Sequence, residues 1–249
     1  MKSTRSISKE ERLLFRTCAV HYLHQWQNLD KPYWQQFQES EIGNSALCRF
    51  LTDYQVIRNF PRRKPELRTA FARTLNQYRR GPVDDVELPE IISQETARLS
   101  SMHKGIGPSA VSKAFWIVVR EPLAIYDRHA RAALQIIRKR ERWLSRPHKS
   151  KTSYGNFSQT WNEYYRSENV QTYLSGIRDW LPRLNTRKSC PCGCLPRTAE
   201  MSRISKEPWF LGRVFDMRLF ILGKSKGKNE LRFIRKEWPH DFSVANGLQ

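Results

Sequence analysis

L-S-S-M-H-K-G-I-G-P-S-A-V-S-K-A-F-W-I-V-V-R-E-P-L-A-I-Y-D-R-H-A-R-A-A-L, residues 99–134, predicts three helices joined by two short connections. The first helical pattern ends near His103. Gly105-Ile106-Gly107 then makes a tight turn, because glycine tolerates positive φ and brings bare backbone close to whatever lies opposite. Pro108 opens the second helix, where its missing N–H is not needed. That helix is mostly apolar and runs to about Val119. Glu121 and Pro122 mark a loop, and Asp127 stands where an N-cap belongs, ahead of a basic amphipathic helix. The free amides at the start of the second helix, with the dipole behind them, form an anion site.

Gly105-Ile106-Gly107 with Ala110, the hydrophobic helix, and Ile125-Tyr126-Asp127-x-His129 resemble the core of the helix-hairpin-helix DNA glycosylases. The resemblance covers about 35 residues, and the turn, the aspartate and the histidine together carry it. It implies that the hairpin holds a DNA backbone through Lys104, Gly105, Ile106, Gly107 and Ser109. It implies that Asp127 is the catalytic carboxylate and that His129 contacts DNA. Members that cleave the strand carry a nucleophilic lysine two residues after the second hairpin glycine. Here that position is Ser109, whose hydroxyl forms no Schiff base, so a monofunctional enzyme leaving an abasic site is expected. Lys113, one helical turn on, is the fallback nucleophile. The plainer alternatives are that Asp127 only caps a helix, that the glycine turn is an ordinary connection, and that His129 is structural.

Composition points the same way. The chain has 249 residues, 44 Lys and Arg against 24 Asp and Glu, and a formal net charge of +20. Such an excess favours polyanions, nucleic acid above all. No apolar run is long enough to span a bilayer, and the basic N-terminus lacks a signal-peptide core. A cytoplasmic, soluble monomer acting on double-stranded DNA, without cofactor or bound metal, is expected. The five cysteines are odd in number and fit a reducing compartment. Cys190, Cys192 and Cys194 form C-P-C-G-C, tighter than the usual metal knuckle. A fourth ligand would have to come from Cys18, Cys48 or a histidine, and whether these cysteines hold a metal stays open.

The rest of the chain predicts an all-α protein of two lobes with a DNA groove between them. The expected division is 1–87, an N-terminal helical lobe; 88–182, the hairpin lobe; and 183–249, a cysteine loop with a C-terminal helix returning to the N-terminal lobe. Ser8 with Glu11 suggests a capping box, and Leu14, Phe15, Cys18, Tyr22 and Trp26 give the first helix one apolar face. A break is expected at 28–32. Residues 56–65, V-I-R-N-F-P-R-R-K-P, form a basic loop. In the resembled family such a loop pushes a side chain into the space left by a flipped base. Asn59 and Phe60 are the candidates, with Trp34 for the pocket and Arg62 and Arg63 for phosphate; Phe60 as core anchor is the plainer reading. Tyr54, Trp161 and Trp209 are further stacking candidates. Arg138, Lys139, Arg140 and Arg142 crowd the end of the helix after Asp127. One helix is expected over 157–180 and another over 208–222, stopped by Gly223. A basic, mobile tail is expected from Lys224, with a short ordered piece near Phe233 and Trp238.

The expected reaction is hydrolysis of the N-glycosidic bond of a damaged or modified base, in repair or in defence against phage DNA. The alternative is a non-catalytic DNA-binding protein that uses the hairpin only as a clamp.

Overall fold

The computed structural model describes residues 8–61, 63–79, 87–184 and 195–247. Among these residues all regular structure is helical, as expected. In chain order the helices are α1 (Lys9–Gln25), α2 (Lys31–Glu39), α3 (Asn44–Asp53), α4 (Pro65–Tyr78), α5 (Leu88–Met102), α6 (Pro108–Val119) and α7 (Arg128–Arg140). They continue with α8 (Ser153–Tyr165), α9 (Glu168–Trp180), α10 (Thr198–Ile204), α11 (Pro208–Lys224), α12 (Glu230–Glu237) and α13 (Pro239–Asn246). None is long and apolar enough to cross a membrane.

The chain forms two compact units. The first comprises Met1–Asn28, Asp127–Arg146 and Thr160–Gln249; the second comprises Leu29–Tyr126 and Pro147–Gln159. Contacts thus group the chain otherwise than boundaries after residues 87 and 182 would. The first helix leaves its sequence neighbours and joins the C-terminal half.

In the first unit, α1 opens with the Ser8 hydroxyl accepting the Glu11 N–H at 3.1 Å. The Glu11 carboxylate does not return to close a capping box. It accepts two hydrogen bonds from the Arg218 guanidinium on α11, at 2.9 and 3.2 Å. Arg218 also pairs with Glu230 on α12, so one buried cation ties three helices together. Buried charges persist only when paired in this way. Nearby, Arg213 and Asp216 pair at 2.7 Å, and the buried Trp161 indole donates to Asp216 at 2.7 Å. Around these lie Leu14, Phe15, Cys18, Tyr22, Phe210, Val214, Phe215 and Leu219, all nearly inaccessible. Removing each such side chain from water contributes about 1.5–3 kcal/mol. α11 packs against α1.

Three expectations are corrected in this unit. The aromatic stretch 157–180 is two helices, because Arg166 and Ser167 interrupt it: Ser167 is extended at the N-cap position of α9, and its hydroxyl donates back to the Tyr164 carbonyl. The tail after Lys224 is helical beyond the short piece expected near Phe233 and Trp238, and α12 and α13 both pack against α1. Gly223 does not stop α11, which continues through Lys224. A Cβ on Gly223 would lie 1.9 Å from the His129 carbonyl oxygen, so this glycine is where α11 and α7 approach backbone to backbone.

In the second unit, Phe37, Leu47, Phe50, Leu51, Phe71, Leu75 and Phe115 fill the core. No break occurs at 28–32: a π-helical turn, Trp26–Asp30, carries the chain into α2. Buried Asp30 explains its survival, since it accepts the Tyr54 hydroxyl.

Candidate functional site

The α5–α6 connection is short and well specified. The His103 N–H closes α5 on the Leu99 carbonyl at 2.9 Å. Gly105 then adopts φ +114°, a conformation that L side chains rarely reach. Ile106 turns inward and is buried, anchoring the loop. Gly107 has φ −116° and ψ 171°, ordinary extended backbone, and is the N-cap of α6. The demand for glycine conformation therefore falls on Gly105 and not on Gly107. A Cβ at Gly107 meets nothing within 4 Å, so a bare approach side remains open there. With Pro108 at the first position and no side chain on the cap, the amides of the first α6 turn face outward without a side-chain acceptor from the cap. Lys104 is exposed on the turn; Ser109 and Lys113 are half-buried.

The segment leading to Asp127 is held from two sides. Ser112, fully buried on α6, accepts the Tyr126 N–H at 3.0 Å. The Tyr154 hydroxyl donates to the Ala124 carbonyl at 2.9 Å. Asp127 itself, half-buried, is the N-cap of α7. Its Oδ1 accepts the His129 N–H at 2.7 Å and the Ala130 N–H at 3.3 Å. Its Oδ2 has no hydrogen-bond partner among the described residues. The carboxylate is thus held in one orientation by the helix it caps, with one oxygen unused. The His129 ring meets Phe220 edge-on at 5.3 Å. Burial holds its pKa below the ordinary histidine value, outweighing the opposite pull of Asp127.

The far end of α7 is strongly basic. A cavity of about 640 Å³ is lined by Gln135, Arg138, Lys139, Arg142, Leu144 and Arg146. Arg138 donates to Thr160, and Leu144 is buried beneath the charged rim. Between Arg142 and Leu144 in the chain stands Trp143, 55% exposed, its indole donating to Glu141 at 3.1 Å. An exposed aromatic ring within a basic run of the chain is the pairing that single-stranded or unpaired bases stack on. The charge run was legible in the sequence. Trp143 was missed, although R-K-R-E-R-W-L-S-R carries the signal, an aromatic inside a basic run.

The wedge and pocket candidates lie in the second unit. Phe60 is 1% exposed and stacks on Phe71 at 5.8 Å with the rings nearly parallel, a core anchor. The backbone of Asn59 ends a short 3₁₀ turn. Arg63 is exposed, and Arg62 lies outside the described residues, as do Cys190, Cys192 and Cys194. Cys18 is fully buried on α1. Trp34 is half-buried under the Arg120 guanidinium, 4.2 Å from the ring centre. Of the other aromatic candidates, Trp161 and Trp209 are buried, and Tyr54 spends its hydroxyl on Asp30. The hairpin residues, with Asn59, Phe60 and Trp34, belong to the second unit; Asp127, His129 and the basic cavity belong to the first. No family model matches the chain, and no curated protein or solved structure matches it either.

Proposed function

We propose that the protein is a monofunctional DNA N-glycosylase that uses Asp127 as its carboxylate. The observation that carries the reading is the layout of α7. An oriented carboxylate with an unused oxygen stands at one end, and a basic cavity with an exposed tryptophan stands at the other. Thirteen residues separate the two, or about 20 Å at 1.5 Å per residue. Along a duplex that is about six base steps of roughly 3.4 Å each. The basic end therefore suits phosphates flanking a reacting nucleotide, and the α5–α6 turn suits a further stretch of backbone.

The chemistry follows from the groups available. A base within a duplex is out of reach, so the nucleotide must leave the stack. As the bond from C1′ to the base nitrogen breaks, the base takes the electron pair and, in the end, a proton. The sugar acquires oxocarbenium character. Asp127 stabilises that charge and takes a proton from the water whose oxygen bonds to C1′. Ser109 stands where strand-cleaving enzymes would need an amine, so the product is an abasic site.

The test exploits the double role of Asp127. Asparagine caps a helix about as well as aspartate. Asp127→Asn should thus keep the fold and the DNA affinity and abolish base release, read by alkaline strand breakage of modified DNA. Asp127→Ala should also lose about 1 kcal/mol of stability with the cap. The second reading, a non-catalytic clamp, is favoured by the structural use already found for Asp127. It is the outcome if wild-type protein binds DNA and releases no base from any damaged or phage-modified substrate.

A further inference from the structure

Away from α7, the first unit gathers three imidazoles around one carboxylate. His21 and His24 are three residues apart on α1 and so share a face; His240 and Asp241 sit in the first turn of α13. His24 Nδ1 lies 2.6 Å from Asp241 Oδ1, and His21 Nδ1 lies 2.8 Å from Oδ2. His240 Nδ1 lies 3.4 Å from the same Oδ1 that faces His24. One donor atom each from His24, His240 and Asp241 fall within 4.8 Å of one another.

We infer that His24, His240 and Asp241 form a binding site for a divalent transition-metal ion of the Zn²⁺ class, with His21 as the residue that positions the carboxylate. An ion pair holding α13 to α1 needs one histidine, or two. The third makes a long contact of 3.4 Å and converges on the oxygen that already faces His24. Two imidazole nitrogens and one carboxylate oxygen are a common donor set for zinc and its neighbours. Metal–ligand bonds of about 2.0–2.2 Å put tetrahedral ligand atoms roughly 3.4 Å apart. His240 Nδ1 and Asp241 Oδ1 already stand at that separation, and His24 Nδ1, at 2.6 Å from the same oxygen, opens by under an ångström as the ion replaces its hydrogen bond. His21 bonds the remaining carboxylate oxygen and is itself stacked on Trp238 at 3.7 Å, the kind of outer support that fixes a ligand's orientation. Three protein ligands leave a fourth position to water.

The site is independent of any action on DNA, and its test uses binding. The full-length protein is stripped with chelator and titrated with Zn²⁺ against a chromophoric chelator, and separately with Co²⁺ by absorption. One equivalent is expected at this site, with Co²⁺ d–d bands and no thiolate charge-transfer band. His240→Ala, at an exposed position, should fold normally and lose the equivalent, with affinity at least 100-fold weaker. His21→Gln should keep it with affinity lowered about 10- to 100-fold. Zn²⁺ should raise the melting temperature of wild type and not of His240→Ala. Unchanged binding by His240→Ala, a thiolate band from the bound Co²⁺, or no binding by wild type would each overturn the assignment.

Discussion

Replacing Gly223 with alanine tests the tightest glycine contact among the described residues. The new Cβ would fall 1.9 Å from the His129 carbonyl oxygen, 2.6 Å from its carbon and 3.0 Å from its Cα. Real Cβ contacts essentially never fall below 3.0 Å, so α11 must retreat from α7 by about an ångström, or the peptide must rotate. Both obstacles are backbone, and no flexible side chain can give way. A gap of 0.5–1 Å forfeits about a quarter to a half of each dispersion contact along the seam. α7 and α11 pack against each other, and Ala130, Ala133 and Leu134 of α7 are buried. Overpacking of this kind costs about 3 kcal/mol, and alanine returns about 1 kcal/mol of helix propensity. The net loss of about 2 kcal/mol should lower the melting temperature by about 4–8 °C for a chain of this size. Circular dichroism during thermal and urea unfolding measures it. Gly176→Ala is the control: Gly176 is exposed in α9, and its Cβ would meet nothing within 4 Å. The same substitution there should stabilise by about 0.5–1 kcal/mol. Equal effects at the two positions would refute the argument. Because His129 follows Asp127 by two residues, Gly223→Ala should also reduce any Asp127-dependent activity in protein that remains folded.

The hairpin offers a second pair. Gly105→Ala forces a side chain to φ +114° and should cost about 1–3 kcal/mol, whereas Gly107→Ala should leave stability unchanged. If the turn clamps phosphate, Gly107→Ala still weakens binding to every DNA sequence alike; unaltered affinity makes the turn a plain connection. Converting Arg142 and Arg146 together to Gln should shallow the log–log salt dependence of DNA binding by about two phosphate contacts, and an unchanged slope would remove the cavity from the interface. Trp143→Ala should cost about 1–3 kcal/mol against single-stranded or flipped DNA, measurable by tryptophan fluorescence, and should leave melting unaffected. His129 should titrate by NMR below the ordinary value near 6.5. Its folded form resists protonation, so its contribution to stability is full above that value and declines as pH falls. A titration at or above 6.5 would contradict the burial seen around the ring.

The sequence alone determined the helical class and most helix boundaries, because these follow from local signals. Pro65, Pro108 and Pro208 mark helix starts, Ser8 and Asp127 are caps, and Leu67, Phe71 and Leu75 recur at helical spacing. Asp127 as the fixed start of α7 and the turn at 103–107 were legible for the same reason. Tertiary structure decided the rest. Gly223 carries a local stop signal, yet its meaning is set by a carbonyl 94 positions earlier in the chain. Phe60 and Phe71 pair across a turn, so a wedge candidate becomes a core ring. The basic tail folds because α1 supplies the face it lacks. His21 and His24 acquire a partner only when α13 returns more than 200 residues later. Local signals report backbone preference and amphipathic period; which faces meet depends on long-range packing that one sequence does not display.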